Sequence, residues 1–79
     1  MVTKMIKQIS DLTDGDTAKV LSVNRKDALG IRLLELGFTP GTPVRLIRSA
    51  SKRGPIEVLI RGCRLMIGLS EAQSIDIQA

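Results

Sequence analysis

Apolar residues recur at every second position in several short segments of this sequence, and each segment ends at a glycine, a proline or a polar turn. Ile56, Val58 and Ile60 show this spacing, and residues 17–23 and 44–49 are β-prone segments of the same kind. A period of two is the pattern of a β-strand with one buried face. Five such segments are too few for a two-sheet sandwich. The sequence therefore predicts a small barrel, which also limits exposed strand edges.

One segment has a helical pattern instead. Asp27 is a favourable N-cap for a helix over residues 28–36, because its carboxylate can accept hydrogen bonds from the first free N–H groups. Gly37 suits the left-handed position that follows a helix, and a Schellman ending then packs Phe38 against Leu33. The residues predicted to form the buried face of this helix are Leu29, Leu33 and Leu36.

Three further segments carry turn chemistry. Residues 39–42 predict a type II turn with Gly41 at the position of positive φ. Gly62 and Cys63 predict a two-residue type II′ hairpin turn. Residues 70–73 match a capping box, which predicts a single helical turn. These turns define where the predicted strands begin and end.

Two nine-residue segments of the chain resemble each other. Residues 12–20 read LTDGDTAKV and residues 38–46 read FTPGTPVRL. Both place an apolar residue and then a glycine turn before a strand. The sequence thus predicts one turn device used twice, rather than a solenoid repeat.

The predicted fold class is all-β with one short helix, namely a small five-stranded SH3-like barrel. The 79 residues are the length of one domain, and residues 1–8 are expected to form a basic, flexible arm. A chain this short buries only about 60% of its unfolded surface, so its net stability is expected to be a few kcal/mol. With Cys63 as the lone cysteine and no histidine, neither a disulfide nor a four-ligand zinc site can reinforce it.

The side chains present exclude the common kinds of catalysis. The sequence has no histidine, tyrosine or tryptophan, so it has no Ser-His or Cys-His nucleophile pair. It also has no GxxxxGK[ST] nucleotide-binding loop. Phe38 is the only aromatic residue, whereas proteins that bind single-stranded nucleic acid stack bases on aromatic side chains. We therefore expect a binding domain that is not an enzyme and has no nucleic-acid partner.

Ligands for a metal ion are few. Asp11, Asp14 and Asp16 surround Gly15, but they lack the further ligands and the distal glutamate of an EF-hand. Ferrous iron prefers some imidazole or thiolate, and only Cys63 offers either. The favoured interpretation is solvated turn acids and a structural cysteine. The alternative is a weakly bound divalent transition metal at Cys63, Asp14 or Asp16, including a site between subunits.

The whole chain has a formal net charge of +4. Many of its cationic residues lie in the second half of the sequence. The cations that adjacent strands and one loop bring near each other are Arg45, Arg48, Lys52, Arg53, Arg61 and Arg64. They form either an ordinary solvated surface or a patch complementary to an acidic partner.

A set of apolar residues is out of phase with the predicted core. This set comprises Leu21, Ile47, Leu59 and Met66. These side chains either fill the second half of the barrel interior, which is the favoured interpretation, or form an exposed groove for a peptide or helix.

Four segments match the motifs of one known family in order. Residues 32–44 read RLLELGFTPGTPV, and residues 12–18 have the pattern LxxGxxA. Residues 54–62 read GPIEVLIRG, and residues 71–77 pair Glu-Ala with two alternating isoleucines. Together they resemble the central signature, first strand, central hairpin and closing strand of the FeoA family. This family is the small cytoplasmic component of bacterial ferrous-iron uptake, and the resemblance covers roughly residues 8–78.

The resemblance implies a barrel that assists the large ferrous-iron permease FeoB by docking to its cytosolic, GTP-binding region. The residues expected to bind this partner are Arg32, Arg48, Lys52, Arg53, Leu59 and Met66. A lone thiol and a polar start fit a cytoplasmic protein that reaches the membrane through its partner only. The alternative function is a free-standing, metal-responsive barrel that binds a divalent cation or forms homo-oligomers.

Overall fold

Six antiparallel strands form one sheet in the computed structural model, which describes residues 7–49 and 54–78. The strands are β1 (Lys7–Gln8), β2 (Thr17–Val23), β3 (Pro43–Ser49), β4 (Ile56–Ile60), β5 (Cys63–Ile67) and β6 (Ile75–Gln78). The helices are α1 (Ala28–Leu36) and the one-turn α2 (Leu69–Ala72), and a 3-10 turn spans Ile9–Asp11. The strand order is β1-β6-β2-β3-β4-β5. In the described part of the chain, no helix is long and apolar enough to cross a membrane.

The predicted all-β fold with one real helix is confirmed, with one strand more than expected. Lys7 and Gln8, which fall within the predicted flexible arm, pair with Ile77 and Asp76 of β6. This part of the prediction is corrected, because backbone pairing with β6 orders two residues whose side chains gave no strand pattern. Residues 1–6 lie outside the described residues.

Two β-bulges curve the sheet around its core. The register of β2 against β6 shifts between Val20 and Ser22, and that of β3 against β4 shifts between Leu46 and Arg48. A bulge bends its strand and increases the local twist. The enclosed core consists of Ile9, Ala18, Val20, Leu33, Phe38, Val44, Leu46, Ile56, Val58, Ile60, Ile67, Ala72, Ile75 and Ile77.

Helix α1 begins and ends as predicted. The Asp27 carboxylate accepts a hydrogen bond from the Gly30 N–H at 3.1 Å. Gly37 has a φ of 116°. The Phe38 N–H donates to the Leu33 carbonyl at 3.1 Å, which is the long bond of a Schellman motif. Phe38 and Leu33 are both fully buried, so this ending also ties the helix to the core.

The buried face of α1 differs from the prediction. Leu33 is buried as expected and Leu29 is half-buried, but Leu36 is 41% exposed. Gly30 is buried in its place, because the backbone at Arg25 lies against the helix there. Because hydrophobic patterning does not count glycine as apolar, the predicted buried face included Leu36 and left out Gly30.

The predicted turns are confirmed in one case and displaced in two. Gly41 has a φ of 88°, as the type II turn requires. The hairpin turn consists of Arg61 and Gly62, with φ of 52° and 80°, so it resembles type I′. Cys63 already belongs to β5, opposite Ile60. Helix α2 starts two residues early, because Gly68 and not Ser70 occupies the N-cap, and no side chain caps it.

The two similar nine-residue segments interlock. The Gly15 N–H donates to the Leu46 carbonyl at 2.7 Å, and the Gly41 N–H donates to the Val20 carbonyl at 2.7 Å. Two bonds return from strand to turn, namely Leu46 N–H to Asp16 O at 2.9 Å and Val20 N–H to Thr42 O at 2.8 Å. Each glycine turn is thus held by the strand that follows the other, so the same device is used twice in an approximately two-fold arrangement.

Candidate interaction surface

Arg45, Leu59 and Arg64 lie side by side on the outer face of the barrel. Arg45 of β3 is opposite Leu59 of β4, which in turn is opposite Arg64 of β5. Their neighbours in sequence point inward, as the buried Val58 and Ile60 show. Opposite residues of antiparallel strands have Cβ atoms about 4.5–5.5 Å apart. One half-buried leucine is therefore flanked by two exposed arginines.

A second cross-strand row runs parallel to the first. Arg48 is opposite Glu57, and Glu57 is opposite Met66. The Nε of Arg48 lies 3.0 Å from Oε1 of Glu57. Met66 is 63% exposed, more than any other large apolar side chain in the described part of the chain. We refer to the two rows together as the sheet-face patch, which comprises Arg45, Arg48, Glu57, Leu59, Arg64 and Met66.

The sheet-face patch combines apolar surface with an excess of positive charge. It carries three arginines and one glutamate, and that glutamate is paired with Arg48. Within the described residues, Arg45 and Arg64 form no salt bridge. Arginine and methionine are both enriched at protein interfaces relative to the remaining surface. The patch is therefore suited to an acidic surface that also presents apolar side chains.

The structure brings together three of the six predicted partner-binding residues. Arg48, Leu59 and Met66 all belong to the sheet-face patch. Arg32 is exposed on α1, an element that is not part of the patch. Lys52 and Arg53 lie outside the described residues.

Two exposed residues on α1 were not anticipated. Ile31 is 57% exposed and Leu34 is 41% exposed. They lie three residues apart, so they share one flank of the helix. Hydrophobic patterning gave no signal for this exposure, because the buried face of the helix includes Gly30, which patterning does not register as apolar.

The out-of-phase apolar residues do not behave as one group. Leu21 and Ile47 are half-buried and occupy the two bulges. Leu59 is half-buried and Met66 is exposed. These residues therefore form neither a second half of the barrel interior nor a continuous groove. Leu59 and Met66 alone contribute to the outer face.

The turn acids proposed as metal ligands already make hydrogen bonds. Asp14 accepts from the Ser49 N–H at 3.1 Å. Asp16 accepts from the Thr13 N–H at 2.9 Å and from the Thr13 hydroxyl at 2.8 Å. These two bonds, the backbone one above all, hold the pKa of Asp16 below its ordinary value. Both carboxylates therefore stabilise the turn before β2.

Cys63 lies at the other end of the sheet from these acids. It is exposed and pairs with Ile60 at one end of β4, whereas Asp14 is bonded to Ser49, which pairs with Ile56 at the other. Ile56 and Ile60 are four residues apart in β4, so the two ends of this strand are about 13 Å apart. Among residues 7–49 and 54–78, no three His, Cys, Asp or Glu side chains are grouped so that they could hold a metal ion.

One ion pair stands at the start of α1. The Arg25 guanidinium lies 2.6 Å from the Asp27 carboxylate, and the Gly30 N–H bonds the same group. The hydrogen bond from Arg25, followed by that from Gly30, lowers the pKa of Asp27 to about 2. This helix start is therefore sensitive to acid.

A cleft of about 920 Å³ lies at the end of the barrel closed by α2 and the 3-10 turn. Among the described residues, it is lined by Ser10, Asp11, Leu12, Thr13, Asp14, Leu46, Ser49, Ile56, Leu69 and Gln73. Leu46 and Ile56 are core residues buried beneath it, and Leu12 and Leu69 are half-buried at its surface. The cleft thus has an apolar base and a polar, acidic rim.

Comparison with known proteins gives consistent matches. The sequence model of the FeoA domain matches residues 7–79. The FeoA protein from Chlorobium tepidum is 35% identical, with 91% of this chain and 69% of that one covered and a TM-score of 0.82. The Stenotrophomonas maltophilia FeoA complexed with zinc, an SH3 domain protein, is 30% identical, with coverages of 91% and 89% and a TM-score of 0.83.

A more distant structural match shows the fold alone. A manganese-dependent transcriptional repressor in complex with manganese is 24% identical, with a TM-score of 0.84. The match covers 96% of this chain but 37% of the repressor. No curated protein sequence matches this chain.

Proposed function

This chain belongs to the FeoA domain family, and from this membership and the sheet-face patch we propose that it is an accessory protein of bacterial ferrous-iron uptake that docks to the cytosolic region of the permease FeoB. The family model spans nearly all of the described chain. The 30% identical relative from S. maltophilia has been described in connection with ferrous-iron transport. A non-catalytic role agrees with a sequence that has no histidine, tyrosine or tryptophan.

The sheet-face patch is the observation that carries the docking proposal. Arg45 and Arg64 flank Leu59, and Met66 extends the apolar part of the surface into the next row. Arg45 and Arg64 are exposed and form no salt bridge within the described residues, so an acidic surface can pair with them without breaking such a contact. The apolar residues add contact area that is not sensitive to salt.

Docking of this kind regulates a partner only if the partner's states differ in affinity. A ligand shifts a conformational equilibrium by its differential affinity for the two states. We therefore expect the domain to bind one nucleotide state of the permease's cytosolic region more tightly than the other. By reciprocity, this domain then changes the affinity of the permease for the guanine nucleotide by the same factor.

Calorimetric titration into the FeoB cytosolic region, with and without guanine nucleotide, tests the proposal. The variant Arg45→Glu/Arg64→Glu reverses the charge of the sheet-face patch, and we expect its Kd to rise by about 30-fold or more. Lys7→Glu/Lys26→Glu makes the same charge change at exposed positions outside the patch and serves as the control. Equal affinities of the two variants, or no binding by the unmodified domain in any nucleotide state, would contradict the proposal.

A second candidate function is a metal-responsive oligomer. It is favoured by the exposed Cys63 at the start of β5 and by the zinc complex of the S. maltophilia relative. Two copies that share a metal would supply the ligands that one copy lacks. Sedimentation of the metal-free protein with Fe(II), Mn(II) or Zn(II) tests this function. We expect a metal-dependent rise in mass that Cys63→Ser abolishes, and an unchanged mass with all three metals would exclude the candidate.

A further inference from the structure

The cleft at the α2 end of the barrel is a second candidate binding surface. Leu46 and Ile56 form its floor, and the half-buried Leu12 and Leu69 form its walls. Leu46 and Ile56 are buried beneath the cleft, so its accessible apolar surface comes from Leu12 and Leu69, below a polar rim. Recessed apolar surface with a few polar groups at its edge is the usual character of a binding site.

Among the described residues, the charge of this rim is opposite to that of the chain as a whole. The protein has a formal charge of +4, yet Asp11 and Asp14 are the charged residues among the described ones that line the cleft. Oδ2 of Asp11 accepts from the Gln8 N–H at 2.9 Å, and Oδ1 of Asp14 accepts from the Ser49 N–H at 3.1 Å. Within the described residues, the second oxygen of each carboxylate has no hydrogen bond. These bonds hold both carboxylates at the rim, where each carries a negative charge.

We propose that this cleft receives a basic, apolar segment of the permease, namely a cytosolic segment that adjoins one of its membrane spans. The inference rests on the proposed function. Cytosolic segments next to membrane spans are enriched in lysine and arginine. Where such a segment also carries apolar residues, it complements both the acidic rim and the leucines of the cleft walls.

The position of the cleft makes two simultaneous contacts with one partner feasible. Leu46 and Ile56 face the inside of β3 and β4, whereas Arg45 and Leu59 face the outside of the same strands. The cleft and the sheet-face patch are therefore separate surfaces. If an acidic domain on the patch and a basic segment in the cleft belong to one chain, binding of either would increase the apparent affinity for the other.

Nuclear magnetic resonance titration with defined peptides tests the inference. The probe is the basic apolar peptide acetyl-Lys-Leu-Lys-Leu-Arg-amide, and the controls replace its cations by Glu or its leucines by Ser. We expect the probe to shift the amide signals of Leu12, Asp14, Ser49 and Gln73, and both control peptides to bind more weakly. Equal binding of the acidic peptide, or shifts confined to the sheet-face patch, would overturn the proposal.

Charge-neutral variants of the rim sharpen the test. Asp11→Asn/Asp14→Asn keeps the hydrogen-bond acceptors and removes the charges, so we expect an unchanged melting temperature and about 3- to 10-fold weaker binding of the probe. Glu35→Gln/Asp76→Asn makes the same charge change elsewhere and should bind as the unmodified protein does. Equal binding by both double variants would refute the acidic rim as the recognition element.

Binding to the full-length permease in nanodiscs separates this inference from the proposed function. We expect Arg45→Glu/Arg64→Glu and Asp11→Asn/Asp14→Asn each to weaken binding. If only the arginine variant does so, docking stands and the cleft proposal is refuted. Replacing Lys52 and Arg53, which follow the cleft residue Ser49 in sequence, by Gln is expected to preserve or tighten binding of the basic peptide. Weaker binding of the basic peptide by that variant would show that these cations contribute to its binding, and would overturn recognition by the acidic rim.

Discussion

Replacing Gly30 by alanine provides a sharp test of how α1 is attached to the barrel. From helix propensity alone, alanine in place of a helical glycine should stabilise the protein by about 1 kcal/mol. In the structure, however, a Cβ at this position would lie 2.9 Å from the carbonyl carbon of Arg25 and still closer to its oxygen. Ordinary carbon–carbon contacts are about 3.5–4.0 Å. The segment before the helix must therefore withdraw by roughly 1 Å.

That withdrawal weakens contacts that close the start of α1. The Asn24 N–H donates to the Ser74 carbonyl at 2.7 Å, and the Asp27 side chain caps the helix at Gly30. Each is worth about 1 kcal/mol, and overpacking costs about 1–3 kcal/mol. After the gain in propensity is subtracted, we expect Gly30→Ala to reduce the free energy of unfolding by about 2–4 kcal/mol. For a domain of this size, that is a fall in Tm of about 10–25 °C.

Thermal and urea denaturation followed by far-UV circular dichroism measures this loss. Asp27→Ala is the matched comparison, because it removes the cap without introducing a clash and should cost about 1 kcal/mol. We expect Gly30→Ala to be clearly the more damaging of the two. A Tm for Gly30→Ala at or above that of the unmodified protein would refute the reasoning, since helix propensity would then outweigh the contact with Arg25.

Three further perturbations follow from the fold. Leu33→Ala should cost about 2–5 kcal/mol, whereas Leu34→Ala, at a position 41% exposed, should stay within about 0.5 kcal/mol; urea midpoints compare them. Because the pKa of Asp27 is lowered to about 2 from 3.8, its contribution to stability is complete above about pH 4 and disappears towards pH 2. Asp27→Asn should flatten that acid-induced decline in urea titrations, and an unchanged slope would contradict it. Gly15→Ala and Gly41→Ala should each cost about 1 kcal/mol in thermal melts, because both glycines have a φ of 88° and no atom lies within 4 Å of the added Cβ. Clearly unequal losses would argue against equivalent turns.

Much of the fold was predictable because its signals are local. The N-cap at Asp27, the left-handed Gly37 and the alternation of Ile56, Val58 and Ile60 each depend on residues close in sequence. The buried face of α1 was not predictable in this way. It depends on a glycine that admits the backbone of Arg25, a contact that hydrophobic patterning does not detect.

The candidate surface was predicted only in part, for a related reason. The sequence indicated Arg48, Leu59 and Met66 as partner-binding residues, but the cross-strand register decides which side chains are neighbours. Moving the hairpin turn by one residue, from residues 62–63 to residues 61–62, determines that Arg64 lies beside Leu59. The cleft is less accessible still to sequence reasoning, because its lining comes from the 3-10 turn, two strands and α2.

The backbone hydrogen bonds that join each glycine turn to the strand after the other turn affect how the chain folds. The turn at Gly15 is complete only when Leu46 has arrived, and the turn at Gly41 is complete only when Val20 has arrived. Neither turn can therefore form completely before the other and serve as a stable template for it. The barrel should form in one concerted step, and hydrogen exchange at these four amides should report a single, shared opening free energy.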